Sequence, residues 1–285
     1  MKPPVRPPLH SQNPNVDVYA AMTRNRNRLF IAIMMTLVAA STDAATCTAE
    51  SSTRRVALLE LYTSEGCNSC PPTDRWVSEL PGRGYTPTSV VTLAFHVDYW
   101  NYLGWPDPYA KPVFSERQRA AARRNAARVV YTPQLLLNGK DYRRGTLLDD
   151  LQKRVAAINL EAPPANITLT LSYQADKALI AKGEAVVQQA TRRPGAAAYL
   201  ALYESRLATQ VSAGENRGRR LEHDFVVREL AGPFPLDAQG TARYDHGFRL
   251  EPAWKRDDLH VAAFVQHESS GEVLQALALG RCASR

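Results

Sequence analysis

Two cysteines in the segment Cys67-Asn-Ser-Cys70 are the residues of this chain best suited to chemistry. They follow a short apolar run, Val56 to Thr63, that is typical of a buried strand, and two prolines come directly after them. Because proline lacks a backbone N–H and is tolerated only in the first turn of a helix, a helix is expected to begin at about Ser69 or Cys70. The pair is therefore predicted to lie at the N-terminus of a helix, where redox cysteines of this spacing occur.

The expected chemistry at this position is thiol–disulfide exchange. Unpaired N–H groups and the helix dipole favour a thiolate on the first cysteine and lower its pKa below the ordinary value of about 8.5. Cys67 is then the attacking thiolate and Cys70 the resolving thiol, and exchange passes through a mixed disulfide between Cys67 and a partner. This hypothesis requires the Cys67 sulfur to be reachable from solvent.

Two other interpretations of the pair stay open, a zinc site and an inert disulfide. A structural zinc site needs four ligands, commonly two close pairs, and the remaining cysteines, Cys47 and Cys282, are far apart in the sequence. These two flank the expected mature chain and are predicted to pair with each other. No metal or other cofactor is expected.

A polar and aromatic cluster follows a second apolar run, Ser89 to Val97. Because the carboxyl ends of parallel strands gather at one edge of a sheet, we expect this cluster near Cys67. His96 either transfers protons and stabilises a thiolate, or merely satisfies buried polar groups. Glu65 is either a proton relay or a solvated turn residue. A third hypothesis is copper binding by Cys67, Cys70 and His96, since thiolates and imidazole suit copper. The cluster comprises His96, Asp98, Tyr99, Trp100, Trp105 and Asp107.

Strands and helices are predicted to alternate through the first part of the chain. The order strand, helix, strand, helix, strand, strand, helix indicates a mostly parallel sheet covered on both faces, hence an α/β domain over residues 46–160. The corresponding ranges are 56–63, 73–80, 89–97, 115–128, 134–139, a short segment through 143, and 147–158.

The pattern changes after a Pro-containing linker at 161–165. About seven strands at short spacing predict an antiparallel, sandwich-like β-rich C-terminal domain over residues 161–285. The polar run from Gly214 to Arg220 and the pair His223-Asp224 either contact a partner or connect a hairpin, and no chemistry is assigned to them. The expected strands are the alternating run that starts at Ile167 and the ranges 178–187, 197–203, 224–230, 241–250, 259–266 and 272–279.

The amino-terminal segment, residues 1–45, has the features of a secretory signal. Residues 29–40 carry no charge, basic residues precede them, and small residues follow them. Export to the periplasm or the medium is expected, with no membrane attachment after cleavage; the alternative is that the segment stays uncleaved as a membrane anchor. The formal net charge of +7 includes +3 from residues 1–44. Because no long basic tract with aromatics follows, nucleic acid is not an expected partner.

Residues 56–159 resemble the thioredoxin superfamily, whose βαβαββα order they share. The resemblance implies that Thr132-Pro133 is the cis-proline of that superfamily, which lies against the cysteine pair and exposes the backbone of Thr132 to a substrate peptide. Gly66 stands where ordinary thioredoxins have Trp, and Asn-Ser stands where they have Gly-Pro. The redox potential and the direction of exchange therefore do not follow from the resemblance.

A closer resemblance, from about Val56 to Leu279, is to a family of secreted bacterial proteins called domain of unknown function 1223. It rests on the segments LELYTSEGCNSCPP, AFHVDYWNYLGWPDP, FSERQ, VYTPQLLLNG and GENRGRRLEHDFVVREL. The resemblance implies a thioredoxin-like fold and no established reaction. The predicted function is exchange with a protein or small thiol or disulfide partner, and the alternative is a non-catalytic thioredoxin-like binding module with a structural disulfide.

Overall fold

The computed structural model describes residues 46–143, 150–174, 177–280 and 282, and the expected signal segment lies outside them. No helix among these residues is long and apolar enough to cross a membrane. The three α-helices of the described residues are α1 (Pro71–Ser78), α2 (Pro112–Arg124) and α3 (Leu151–Asn159). The strands are β1 (Thr46–Glu50), β2 (Ala57–Thr63), β3 (Val90–His96), β4 (Gln134–Leu137), β5 (Lys140–Asp141), β6 (Ala165–Gln174), β7 (Ala178–Val187), β8 (Ala196–Glu204), β9 (Leu207–Gln210), β10 (Arg220–His223), β11 (Val226–Pro235), β12 (Thr241–Arg249), β13 (Leu259–His267) and β14 (Val273–Gly280).

These elements make a mixed α/β protein in which sheet predominates. From β2 to α3 the elements follow the predicted order, and β3 pairs with β2 in parallel, whereas β4 pairs with it antiparallel. The seven strands predicted after residue 160 are present as β6, β7, β8, β11, β12, β13 and β14. The strands β1, β9 and β10 were not predicted, because runs of four or five residues carry too little periodicity.

Helices cover both faces of the sheet around β2. Successive side chains of a strand point to opposite faces, so an apolar strand must be covered on both. Leu59 and Leu61 of β2 face one side, where Trp76 of α1 and Val155 of α3 pack against them. Leu58 faces the other side, in the cluster that contains Phe114 of α2. Every residue of β2 and β3 is buried, so both faces of these two strands are covered.

Strands from both sides of residue 160 belong to one sheet. The eight-stranded sheet has the order β14-β13-β8-β11-β3-β2-β4-β5, and β11 joins the two parts, parallel to β3 and antiparallel to β8. All described residues belong to one compact unit. The β-rich C-terminal region predicted as a following domain is therefore continuous with the sheet that carries Cys67.

A second sheet, β1-β6-β7-β12, packs on the C-terminal strands in the manner of a sandwich. Its apolar face, with Ile167 and Leu169, shares a core with Leu200 and Leu202 of β8. β1 lies on its edge, antiparallel to β6. The predicted disulfide between Cys47 and Cys282 is present and links the two ends of the described chain. The short strands β9 and β10 form a separate hairpin.

Candidate functional site

The predicted cysteine pair lies at the N-terminus of α1, and its two sulfurs are joined in a disulfide. Cys70 is the N-cap residue, and Pro71 and Pro72 are the first two residues of the helix. The N–H of Cys70 donates to the carbonyl oxygen of Cys67 at 3.2 Å and closes the turn between them. The helix start expected from the two prolines is confirmed, with Cys67 just outside the helix.

The disulfide is buried, contrary to the expectation that the Cys67 sulfur is reachable from solvent. Cys67 exposes 1% of its surface and Cys70 none, whereas Asn68 and Ser69 between them are exposed. Exchange requires access of an attacking thiolate to a disulfide sulfur. The expectation of an accessible Cys67 is wrong for this arrangement of the chain, and the reason is a segment far away in the sequence.

That segment is the loop of residues 211–219 between β9 and β10, called here the covering loop. Asn216, itself fully buried, donates from Nδ2 to the carbonyl oxygens of Glu65 at 2.8 Å and Cys67 at 3.0 Å. The carboxylate of Glu215 accepts the N–H of Asn68 at 3.3 Å. The covering loop is therefore bound to the backbone on both sides of Cys67.

The other side of the turn is closed by Trp100. A Cβ atom placed on Gly66 would lie 2.9 Å from the Cβ of Trp100, so this position has no room for a side chain. Trp100 in turn donates from Nε1 to Oγ1 of Thr132 at 2.7 Å. Gly66 is thus explained by the close approach of the loop that follows β3.

Glu65 is fully buried and is not a solvated turn residue. Its Oε2 accepts a hydrogen bond from Nε1 of Trp105 at 2.8 Å, and its Oε1 lies 3.1 Å from Nε2 of His223. His223 ends the unpredicted strand β10 and is also buried. The carboxylate next to the disulfide therefore has an imidazole partner that lies 158 residues away in the chain.

His96 is held in the same way by a second carboxylate. Its Nδ1 lies 2.7 Å from Oδ2 of Asp107, and the same oxygen accepts the N–H of Glu65 at 2.8 Å. The rings of His96 and His223 meet edge to face with centroids 4.9 Å apart. We call Glu65, His96, Asp107 and His223 the histidine–carboxylate cluster; all four side chains are buried.

Each imidazole of this cluster keeps one ring nitrogen free. Among the residues that the structure describes, Nε2 of His96 and Nδ1 of His223 are buried and have no hydrogen-bond partner. A carboxylate on one nitrogen fixes the orientation of an imidazole and leaves the other nitrogen to exchange a proton. The cluster thus has the geometry of two oriented acid–base groups.

Asp74, which sequence reasoning missed, is a further buried carboxyl beside the disulfide. It lies one helical turn after Cys70, and positions four residues apart share a helix face. Its Oδ2 accepts a hydrogen bond from Oγ1 of Thr63 at 3.1 Å. Asp74 and His223 line one narrow cleft of about 90 Å³ between α1 and β10. The sequence did contain a signal for Asp74: it is an acidic residue on the same helix face as buried residues of α1, directly after the cysteine pair.

Burial and neighbouring charges set the protonation of these groups. Burial raises the pKa of Asp74, and the imidazoles of His223 and His96 offset only part of the effect. Burial by itself would lower the pKa of His96, but the carboxylates around it, Asp107 first, raise it above its ordinary value. Burial also opposes ionisation of Asp107, yet the bound His96 ring holds the pKa of that carboxyl below its usual range. His96 and Asp107 therefore form a buried ion pair, while Asp74 retains its proton more readily than an exposed carboxyl.

The Thr132–Pro133 peptide is cis, as the resemblance implied. Pro133 and Thr73 line one open cleft of about 370 Å³, so the proline lies beside the first turn of α1. Thr132 reaches the cysteine motif through Trp100. The predicted residues Cys67, Cys70, Glu65, His96, Thr132 and Pro133 are therefore gathered in one region.

Two other members of the predicted cluster, Asp98 and Tyr99, contact helix α2. Asp98 accepts from the hydroxyl of Ser115 at 2.5 Å, and the hydroxyl of Tyr99 donates to Oε1 of Gln118 at 3.1 Å. Both contacts tie the loop after β3 to α2, which is the structural interpretation left open for these residues. His96, Trp100, Trp105 and Asp107 contact the residues around the motif, and the hydroxyl of Tyr99 also lies near Thr132.

A metal centre gains no support from the described part of the chain. There, no group of three or more His, Cys, Asp or Glu residues is arranged to hold a metal ion. Cys67 and Cys70 are joined in a disulfide here, so the copper hypothesis for Cys67, Cys70 and His96 concerns their reduced state and stays a prediction.

One family model matches most of the chain. It is the model described as protein of unknown function DUF1223, and it matches residues 58–266. This range includes the disulfide, the covering loop and every member of the histidine–carboxylate cluster. No curated protein matches the chain.

Two solved structures are similar to this protein as a whole. A crystal structure of a protein from Agrobacterium tumefaciens, determined by structural genomics, is similar over 82% of this chain and 98% of its own, with 24% identity and a TM-score of 0.58. HBP35 of Porphyromonas gingivalis is similar over 82% of this chain and 79% of its own, with 16% identity and a TM-score of 0.60. At these identities the likeness concerns the fold alone.

Proposed function

Because this chain belongs to the DUF1223 family, whose description assigns no activity, we propose its function from the site itself: thiol–disulfide exchange at Cys67 and Cys70. The observation that carries the proposal is the concentration of buried ionisable groups around the disulfide. Moving one charged group out of water costs several kcal/mol, which a partner must offset. Summed over several such groups, this cost is comparable to the net stability of a whole domain. Such groups with shifted pKa values are typical of sites that transfer protons.

The arrangement of strands supports a thioredoxin-like placement of this pair. Around the motif the sheet order is β3-β2-β4-β5, with β4 antiparallel to β2 and the cis-proline directly before β4. The cysteines follow the central strand β2 and open α1. This arrangement favours assignment of residues 46–160 to the thioredoxin superfamily, with the C-terminal strands as an extension of its sheet.

Exchange requires the covering loop to move, because a thiolate has no access to Cys67 in the observed arrangement. The loop is held near the motif by the two hydrogen bonds of Asn216 and the contact of Glu215. Each such bond contributes about 1 kcal/mol net, and the β9–β10 hairpin is separate from the two larger sheets. Displacement of the loop therefore needs no break in the main sheet.

The proposed step is balanced with a dithiol partner as reductant. A partner thiolate attacks Sγ of Cys67, the Cys67–Cys70 bond breaks, and Cys70 leaves as a thiolate that takes up a proton. The second partner thiol, after losing its proton, attacks the partner's own sulfur in the mixed disulfide and releases Cys67. The protein ends with two thiols and the partner with one disulfide, and the reverse sequence oxidises a partner dithiol.

We also propose export to an oxidising compartment. Two disulfides in one chain persist in the periplasm or outside the cell and are rare where glutathione and thioredoxin keep thiols reduced. The apolar stretch at 29–40, with basic residues before it, has the features of the secretory signal peptide that such export needs.

A second candidate is a binding module with a structural disulfide, and the burial of both sulfurs favours it. Trapping separates the two. The purified Cys70→Ala variant is incubated with glutathione disulfide and with extracts of exported proteins, and Cys67-linked species are identified by mass spectrometry. Exchange predicts a mixed disulfide at Cys67 that the Cys67→Ala variant lacks. Absence of any adduct, together with a wild-type pair that resists dithiothreitol in the folded state, would leave the structural module.

A further inference from the structure

The buried side chains beside the disulfide lead from α1 to the surface. Asp74 shares a helix face with Cys70, and Asp74 and His223 line the same cleft between α1 and β10. The cleft also touches Arg220 and Glu222, which are exposed. Its volume of about 90 Å³ is ample for water. A chain of protonatable groups thus connects the region of the resolving sulfur with solvent.

His223 is arranged for proton transfer rather than for packing alone. Its Nε2 is fixed by Glu65, and its buried Nδ1 has no partner among the described residues. A neutral polar atom left unsatisfied in the interior costs about 1–3 kcal/mol, so a fold gains nothing from leaving it free. The second imidazole, His96, is oriented in the same way by Asp107 and lies edge to face with His223.

We propose that His223 and Asp74 carry the proton that the Cys70 sulfur gains on reduction and loses on oxidation, with Glu65 as the positioning residue of His223. This inference rests on the proposed exchange reaction and adds to it the route of the proton. It also assigns a task to the C-terminal region, since β10 supplies His223 to a site otherwise built by β2, α1 and β3.

The proton balance follows the bond changes. When a partner thiolate attacks Cys67, the electron pair of the S–S bond goes to the Cys70 sulfur. Asp74 in its acid form donates its proton to that thiolate and becomes a carboxylate. His223 then relays a proton from solvent, through water in the cleft, to the Asp74 carboxylate, which regains its acid form. Oxidation runs the same transfers in reverse.

Several charged or titratable groups face His223. They are Glu65 at its Nε2, the ring of His96 at 4.9 Å between centroids, the ring of Tyr109 at 5.8 Å, Asp107 behind His96, Asp74 across the cleft, and Arg75, Arg220 and Glu222 around the cleft. A change in the pH profile of exchange is therefore assigned to His223 only by comparing variants, since a profile belongs to a group of interacting sites rather than to one residue.

The test measures reduction of the Cys67–Cys70 disulfide by dithiothreitol between pH 5.5 and 8.5, with each rate divided by the thiolate concentration. Wild-type protein is expected to show a normalised rate that rises toward acid pH. His223→Gln is expected to lower this rate about 100-fold at pH 6, the lower range of acid–base contributions, and to flatten the profile. Asp74→Asn, which keeps an acceptor for Thr63, is expected to flatten it as well.

The matched control is His246→Gln. His246 forms the same kind of pair, Nε2 to Oε1 of Glu229 at 2.7 Å, but lies on β12 of the other sheet, so its loss should leave the profile unchanged. All variants are also measured with Asn216→Ala, so that slow opening of the covering loop does not hide the chemical step. If His223→Gln fails to fold, the pH profile of Asp74→Asn alone decides whether the proposed proton route is correct.

The outcomes separate this inference from the proposed function. A disulfide that exchanges with an unchanged profile in both His223→Gln and Asp74→Asn overturns the proton route and leaves the exchange reaction standing. A wild-type disulfide that is not reduced in the folded protein, even with Asn216→Ala, overturns the exchange reaction itself.

Discussion

The side-chain amide of Asn216 donates a hydrogen bond to the carbonyl oxygen of Cys67 at 3.0 Å, across 149 positions of sequence. The same amide binds the carbonyl oxygen of Glu65 at 2.8 Å. One residue of the covering loop is therefore bound to the backbone on both sides of the buried Cys67, from a segment far away in the sequence. This contact makes access to the sulfur, rather than the presence of the cysteines, the property that experiments must address.

Asn216→Ala is expected to accelerate reduction of the Cys67–Cys70 disulfide by dithiothreitol about tenfold. The variant loses two hydrogen bonds of about 1 kcal/mol each and leaves two carbonyl oxygens unsatisfied only in the closed state, which favours opening. Stopped-flow or quenched alkylation gives the rate. Asn159→Ala is the control, because Asn159 also donates to two carbonyl oxygens, those of Arg55 and Ser89. Equal rates for Asn216→Ala and wild type would contradict the covering role.

Asp74→Asn is expected to stabilise the protein at pH 8 by about 1–3 kcal/mol, the usual cost of a buried unsatisfied group. The pKa of Asp74 is raised by burial, so its contribution to stability is full below the ordinary value of about 3.9 and is lost as pH rises through the raised value. Urea unfolding at several pH values measures the difference, which should disappear toward pH 3.5. A constant difference at all pH values would argue against ionisation of Asp74 as its cause.

Asp107→Asn is expected to lower the free energy of unfolding by about 3–5 kcal/mol, as for other buried pairs that lose one partner. The loss should be greatest between about pH 4 and 6.5. The raised pKa of His96 gives stability that is full below about 6.5 and lost as pH rises through the raised value; the lowered pKa of Asp107 gives stability lost as pH falls through the lowered value.

The control for this experiment is Asp245→Asn, which removes an exposed pair with Lys182. Exposed pairs contribute at most about 1 kcal/mol, so this variant should unfold like the wild type at every pH. If Asp107→Asn showed the same small, pH-independent change, the buried ion pair would not be a source of stability.

Replacing Cys47 and Cys282 together by Ser is expected to lower the free energy of unfolding by about 2–5 kcal/mol, because their disulfide restricts a very long stretch of unfolded chain. Denaturant unfolding under non-reducing conditions measures the loss. Reduction of the Cys67–Cys70 pair should keep its wild-type rate in the folded variant, since the two disulfides have different tasks. A variant that also lost exchange would show that the terminal bridge supports the site.

Local signals in the sequence were sufficient for the elements and their order. Apolar runs located β2 and β3, and the two prolines after Cys70 located the start of α1. The turn-forming dipeptide Asn138-Gly139 marked the end of β4. Each of these features depends on residues within one turn or one strand of each other. The pairing of Cys47 with Cys282 was also predicted, because these two cysteines flank the expected mature chain.

The environment of the disulfide was decided by tertiary structure. The sequence by itself determined a cysteine pair at a helix N-terminus with Glu65 beside it; that His96 lies near was an expectation, and the cis-proline was implied by the family resemblance. Only the fold placed β11 beside β3 and so brought Asn216 over Cys67 and His223 against Glu65. Periodicity and propensity report the few residues around each position, whereas burial and the pKa of a carboxyl depend on whatever the packed chain brings next to it.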